Sequence, residues 1–214
     1  MTVRQSLLAI LSIGPCYGYQ LRAEFDRRTG STWGLNVGQT YTTLERLERD
    51  GLVRRGDTDT DGHLYWEITD EGRSSASAWL ADPTPPARGT RDELAIKVAI
   101  AATLPGSDVG AVLRTQRAAT QSRLEELRRE DEGATGSASA LSRRLIRDGL
   151  AFDAEAELAW LDHCARVLEE TPAQPVPLST EKPRRGRPAK AGPAPARPAA
   201  ARPAATRPTT TRPI

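Results

Sequence analysis

The spacing of apolar residues switches once from helical to alternating and back, and that switch limits what the chain can fold into. Leu64, Trp66 and Ile68 alternate with His63, Tyr65 and Glu67, the pattern of a strand with one buried face. The segment "LVRR" lies opposite, and the link "GDTDTDG" contains Asp61-Gly62, a pair suited to a tight hairpin turn. Before and after this hairpin the period is helical. Leu7, Leu8, Ile10 and Leu11 predict a helix over 3–13 that Gly14-Pro15 ends. Leu21 and Phe25 share one face of a second helix, Tyr19 to Arg28, which "TGSTWGLNVG" breaks. A third helix runs from Gln39 to Asp50 and stops at Gly51, a residue suited to the left-handed position after a helix. Thr69 then caps "DEGRSSASAWLA", which ends at Asp82-Pro83.

Three helices, a hairpin and one more helix, in that order, spell a winged helix-turn-helix over residues 1–82. The fold class expected is mainly α, with a small β-hairpin wing. "DPTPPARGT" contains the linker, 83–90, and three helical stretches follow at about 91–103, 107–131 and 139–171. The last carries Leu158, Leu161, Ala165 and Leu168 along one stripe. Two helices alone cannot cover that stripe, so 91–171 reads as a dimerisation and effector domain whose partner is a second copy of the chain. Residues 172–214 read as an extended, disordered tail.

Charge divides the chain sharply. Residues 172–214 hold nine basic residues and one acid, a net of +8, whereas residues 1–171 hold 21 basic and 27 acidic residues, a net of −6. A basic arm on an acidic body points to a polyanionic partner. Cys16 and Cys164 form no ligand-like or disulfide-framework spacing, which fits a reducing compartment. The opening "MTVRQSLLAILSIGPC" reads as a core helix, because its apolar run is short and Pro15-Cys16 is no small-residue cleavage site. With no apolar stretch near the ~20 residues a bilayer demands, the expectation is a cytoplasmic, nucleoid-associated protein that meets no membrane.

On a helical wheel, "VGQTYTTLERLERDGL" turns Leu44 and Leu47 to one side and Gln39, Thr42, Thr43, Arg46 and Arg49 to the other. Gln39, Thr40, Thr42 and Thr43 at the N-terminal end are candidate base readers, since Gln and Thr can bond base edges in a major groove. Arg46 and Arg49 lie farther along, where a recognition helix leaves the groove and meets phosphates. The same face taken alone also suits an ordinary solvated helix; its place as the third helix before a hairpin favours DNA.

"LLAILSIGPCYGYQLRAEF", "GQTYTTLERLERDGLV" and "YWEITDEGR" resemble the N-terminal domain of the PadR family of transcriptional regulators. "RDELAIKVAIAATL" and "DAEAELAWLDHCARVLEE" are similar to that family's dimerisation helices, so the resemblance covers residues 1 to about 171. It implies a homodimeric repressor that binds operator double-stranded DNA and is released by a small effector. It also implies phosphate or surface contact for Tyr17, Tyr19 and Tyr41, with partial core packing as the other reading of each. In family members the space between the DNA-binding domain and the dimer helices can admit aromatic effectors; Trp79, Phe152 and Trp160 are the aromatics available here, for a pocket or for packing. Two departures stand out. Thr42 replaces the proline usual after the helix tyrosine, which suggests altered base preference. The wing tip carries Asp57, Asp59 and Asp61 in place of basic residues, leaving Arg54, Arg55 and His63 to reach phosphate.

Catalytic signals are missing. His63 and His163 show no Cys or carboxylate at metal-ligand spacing, and no phosphate loop or nucleophile elbow occurs. No enzyme activity, metal or cofactor is expected. The remaining question is the tail. "KPRRGRPAK" (182–190) resembles the AT-hook, with Gly186 admitting backbone to a narrow minor groove, Arg184, Arg185, Arg187 and Lys190 as cations, and Pro188 fixing direction. Tethered by Pro172 to Pro183, it reads either as an auxiliary DNA contact or as a passive solubilising tail. A protein acting mainly through that tail would be a nucleoid-type architectural binder, distinguished by weak sequence preference and a steep salt slope.

Overall fold

The computed structural model describes residues 2–86, 92–129 and 138–180, all within one compact unit. Helix α1 (Thr2–Leu11) enters the core with Leu7, Leu8, Ile10 and Leu11 almost wholly buried. A two-residue strand, β1 (Cys16–Tyr17), leads into α2 (Gly18–Arg28), and α3 (Val37–Arg49) follows. The hairpin is β2 (Val53–Thr58) and β3 (Leu64–Ile68), and α4 (Asp70–Ala81) closes the motif. The expected winged helix-turn-helix is therefore present, with one addition. Strand β1 pairs with β3, Cys16 opposite Trp66 and Tyr17 opposite Tyr65, giving a three-stranded antiparallel sheet in the order β1-β3-β2. Two residues carry no readable period, which is why the sequence does not announce them.

Local signals at the helix ends act as expected. The Thr69 hydroxyl accepts from the Gly72 N–H at 3.1 Å and caps α4, while Gly51 (φ 73°) ends the α3 segment. Burial pushes the Cys16 thiol up to about 12, and both cysteines are free.

Three more helices follow, the short α5 (Glu93–Ala101) and the long α6 (Val109–Arg129) and α7 (Ala138–Glu170). None of the described helices is long and apolar enough to cross a membrane. The expected boundary at 91 is less clean than the sequence suggests. Ile96 and Ile100 of α5 and Leu104 beyond it belong to the same buried cluster as Leu7, Leu8, Phe25 and Leu47. The first helix of the second domain thus packs into the core of the first. The linker is also pinned at Thr84, whose N–H donates to Gln116 Oε1 at 2.5 Å and whose carbonyl accepts from Gln116 Nε2 at 3.0 Å.

The expected stripe on α7 is covered within the chain only in part, since Ala165 is exposed and Leu158 half-buried. Leu161 is buried with Leu94 of α5 and Leu113 of α6, and Leu168 packs against them. The apolar surface left open lies earlier on α7, where Leu145 is 63% and Phe152 70% exposed. Residues 172–180, expected to belong to the tail, form a segment without helix or strand in which Val176, Leu178 and Ser179 are half-buried. The AT-hook-like residues lie outside the described residues.

A close approach fixes how α4 meets the wing. A β-carbon on Gly72 would lie 2.1 Å from the Leu52 carbonyl oxygen, whereas Gly62 (φ 79°) at the hairpin turn has open space around it. Gly72→Ala should therefore cost about 3 kcal/mol by overpacking against backbone, and Gly62→Ala about 1 kcal/mol through its left-handed φ alone. Denaturant melts of the two variants check the order.

Candidate nucleic-acid interface

Helix α3 is held at both ends and along one side. Asn36 Oδ1 accepts from the Gln39 N–H at 2.6 Å, satisfying a donor at the helix start. Leu44 and Leu47 are wholly buried, so the opposite side of the helix must face outward. Beyond the last turn, Asp50 takes Arg4 at 2.7 Å and Arg49 at 3.1 Å, and hydrogen bonds from these two guanidiniums hold its carboxyl below the usual range.

The outward side does not contain every expected reader. Gln39 is half-buried, and Thr42 and Arg46 are exposed, three and then four residues apart. Thr43 is half-buried and donates its hydroxyl to the Gln39 carbonyl at 2.7 Å. Thr40 is a correction. It has no exposed surface, and its hydroxyl donates to the Asn36 carbonyl at 3.2 Å, so it is a packing residue one position off the outward face. Tyr41 is 41% exposed and lies over the start of α2, where a β-carbon on Gly18 would come within 2.7 Å of its ring. Sequence reasoning did not single out Gly18; the signal was its place between Tyr17 and Tyr19.

The expected phosphate contacts separate in the same way. Tyr17 is a second correction: it is 5% exposed, stacked on the His63 ring at 4.4 Å and edge-on to Tyr65 at 5.6 Å. Its ring glues β1 to the wing. Tyr19 is half-buried, with Arg22 over its ring at 5.6 Å. Arg54 pairs with Glu67 at 2.7 Å, and Arg55 pairs with Glu48 at 3.0 Å while lying over Trp66. Arg49 is paired with Asp50. Among the described residues, Arg46 alone of these four arginines has no ion-pair partner. Exposed pairs of this kind are worth at most about 1 kcal/mol, so a phosphate can displace the carboxylate, at a cost.

The wing tip is built around Asp59. Its Oδ1 accepts from the Asp61 and His63 N–H groups, both at 2.9 Å, and its Oδ2 lies 3.1 Å from His63 Nδ1. The His63 N–H bond foremost holds the Asp59 carboxyl below the usual range. The expectation that His63 lacks nearby carboxylates is corrected: Asp59, Asp61 and His63 place one ligand atom each within 4.8 Å of one another. Turn hydrogen bonding accounts for this cluster. The tip remains acidic.

Two of the three expected effector aromatics line recesses. Trp79 borders a recess of about 250 Å³ with Lys97, Glu93 and Gln5. Burial holds the Lys97 ammonium below lysine's usual range; it donates to the Asp82 carbonyl at 2.7 Å and lies 5.3 Å from the Trp79 ring. Trp160 borders a second recess of about 160 Å³ with Leu94 and Glu157, and Thr84 and Pro85 line both. The Thr84 hydroxyl is buried without a hydrogen-bond partner among the described residues. Phe152 lines neither recess; it stands on the exposed surface of α7, which corrects its placement.

Residues 7–78 match the transcriptional regulator PadR-like family, and residues 90–169 match the family described as virulence activator alpha C-term. Among curated proteins, the chain is similar to probable transcriptional regulator Rv1176c of Mycobacterium tuberculosis, 27% identical over 188 residues that cover 79% of this chain and 99% of that protein. It is also similar to the negative transcriptional regulator PadR of Bacillus subtilis, 23% identical over 143 residues, covering 65% of this chain and 79% of that one. Among solved structures, Bacillus subtilis PadR in complex with operator DNA aligns at a TM-score of 0.36 and 19% identity, over 77% of this chain and 97% of that one. The protein smu.1604c of Streptococcus mutans aligns at 0.37 and 19%, over 81% and 100%.

Proposed function

Since the chain belongs to the PadR-like family of transcriptional regulators, which are DNA-binding regulators and not enzymes, we propose that it is a dimeric repressor reading its operator with α3. The observation that carries this reading is the outward face of α3: Gln39, Thr42 and Arg46 stand one turn apart in succession on a helix fixed from behind by Leu44 and Leu47. Gln39 and Thr42 suit base edges, and the unpaired Arg46 suits a phosphate. The helix start adds its partial positive charge on the same side.

A dimer would place two such helices in successive major grooves, about 34–36 Å apart. The exposed Leu141, Leu145, Ile146, Leu150 and Phe152 of α7 support it, because this apolar surface needs a cover and a second copy supplies the same surface in return. Repression follows from occupancy of a promoter, and the Bacillus subtilis relative is described as a negative regulator. The recess beside Trp79 lies where α4 meets α5, so a small aromatic effector seated there would shift the reading helices relative to the dimer arm.

Binding sites selected from random DNA test the reading. On the selected site, Gln39→Ala with Thr42→Ala should lower discrimination by about 1–3 kcal/mol, while Thr43→Val changes it little. Arg46→Ala should weaken all sequences about tenfold without altering preference. If the first pair keeps full selectivity, α3 is not the reader; equal affinity for all DNA would instead indicate a general architectural binder. For the dimer, Leu145→Glu should sediment as a monomer and lose at least about tenfold in operator affinity. A Leu145→Glu variant that still sediments as a dimer moves the interface elsewhere. For the effector, titration should quench fluorescence in the wild type and not in Trp79→Phe; equal quenching in both removes the recess from that role.

A further inference from the structure

The second family match ends at residue 169, and the described chain continues to Thr180. Residues 176–179 form a strap bound along α2. The Val176 N–H donates to the Thr103 carbonyl at 2.9 Å, and Arg27 Nη2 donates to the Pro177 carbonyl at 2.7 Å. Leu178 packs against the main core, and the Ser179 N–H donates to Glu24 Oε1 at 2.8 Å. Gln20 Nε2 then donates to the Ser179 carbonyl at 3.2 Å.

Arg28 joins three segments at this place. Its Nη1 donates to the carbonyl and the hydroxyl of Thr103, each at 2.9 Å, and its Nη2 donates to the Val176 carbonyl at 2.7 Å. Nη2 also lies 3.3 Å from Glu24 Oε2, and the two side chains are 0% and 2% exposed. The donors of a guanidinium point in fixed directions, so α2, the residue after α5 and the strap are held in one mutual geometry. Lifting the strap would leave both buried charges short of partners, so it is a fixed part of the fold.

The strap is attached to the reading helix at one end and to the candidate dimer arm at the other. On α2, Arg22 Nε donates to the Leu35 carbonyl at 2.6 Å and Asp26 Oδ1 accepts from the Leu35 N–H at 3.3 Å. Leu35 directly precedes Asn36, the cap of α3. In the other direction, the Thr171 N–H closes the last turn of α7 on the Val167 carbonyl at 2.8 Å. From there Val176 is only five residues away, a reach of at most about 18 Å. Pro172 and Pro175 stiffen that link.

Leverage gives this second attachment its value. The exposed apolar surface begins far along α7, and Leu145 to Glu170 spans about 38 Å of helix. A pivot of about 5° at the near end moves the far end by about 3 Å, close to the rise of one base pair. The packing of Leu161 on Leu94 and Leu113 holds the arm at one place, and the strap holds it at another, beyond the end of the helix. We propose that residues 172–179 are a brace that sets the separation of the two reading helices and so determines which half-site spacing the protein accepts. The inference rests on the readings of α3 as the DNA-facing helix and of α7 as the dimer arm, and it assigns the spacing precision that those readings leave open.

Full-length protein tests it on operators that carry the selected half-sites at the selected spacing, one base pair nearer or one farther, alongside a single half-site. Wild type should lose at least about tenfold in affinity at either altered spacing. A flexible Gly-Ser insertion of roughly eight residues after Ala173 leaves the strap on α2 and cuts its stiff link to α7. It should shrink that loss to within about twofold while affinity for the single half-site is unchanged. Val176→Pro with Ser179→Pro, which removes the donors to Thr103 and Glu24, should act in the same way; the insertion keeps the test readable should that variant not fold. Discrimination of spacing as strong in the insertion variant as in wild type overturns the brace, leaving α5 and Thr84 sufficient. A fall in half-site affinity as large as the change in discrimination overturns it too, since general loosening would cause both. Wild type that footprints two half-sites yet tolerates all three spacings also contradicts it. Wild type that protects no paired half-sites fails one step earlier, sinking the readings of α3 and α7 and the brace with them.

Discussion

Leu44 and Leu47 have no exposed surface, and the core they enter is shared by α1, α2, the sheet and α5. Burying two leucines three residues apart leaves a helix only one side to present, and the identity of that side follows from the 3.6-residue period. Gln39, Thr42 and Arg46 are consequently outward whatever their own preference. A one-residue displacement decides the fate of Thr40, which falls under the helix and spends its hydroxyl on a backbone carbonyl. The outward face of α3 is thus a by-product of packing, and its polar residues stand there because leucines hold the helix down.

The same core ties α3 to the rest of the chain. Ile96 and Ile100 anchor α5 among the residues of the winged helix, and α5 also covers Leu161 of α7. Helix α5 and the pinned Thr84 therefore both join the helix-turn-helix to α6 and α7. The strap adds a second tie from the end of α7 to α2, joined at Thr103 where α5 has just ended. Electrostatics follow a related logic. Arg49, Arg54 and Arg55 are balanced by carboxylates on neighbouring elements, so the folded body offers little free positive charge, and the basic residues of the tail are its main reserve.

Much of this was legible in the sequence because it is local. Thr69 as a cap, Gly51 as a stop and the alternation at Leu64, Trp66 and Ile68 each act over a few residues, and the elements formed where those signals lie. Features made by long-range contact were not legible. Strand β1 exists because Cys16 and Tyr17 meet Trp66 and Tyr65 across about fifty residues of sequence, and two residues have no period of their own. The strap has the composition of a spacer, since its prolines promise extension equally well whether or not Glu24 and Arg28 wait to bind it. Charge pairing is hidden for the same reason: "LVRR" reads as free arginines until folding brings Glu48 and Glu67 alongside. The α7 stripe was read as apolar with a second copy as its cover, and Leu161 and Leu168 instead pack within the chain while Ala165 stays exposed, because helical periodicity shows which residues seek burial but not what buries them.

Site-specific photo-crosslinking probes the central claim most directly. A photoreactive residue in place of Thr42, on the outward face of α3, should cross-link to bases in two tracts of the operator about one helical turn apart, whereas the same residue in place of exposed Ser77 on α4 should not. Cross-links absent at 42, in protein that still binds DNA through its tail, would contradict the account and leave the α3 face a solvated surface.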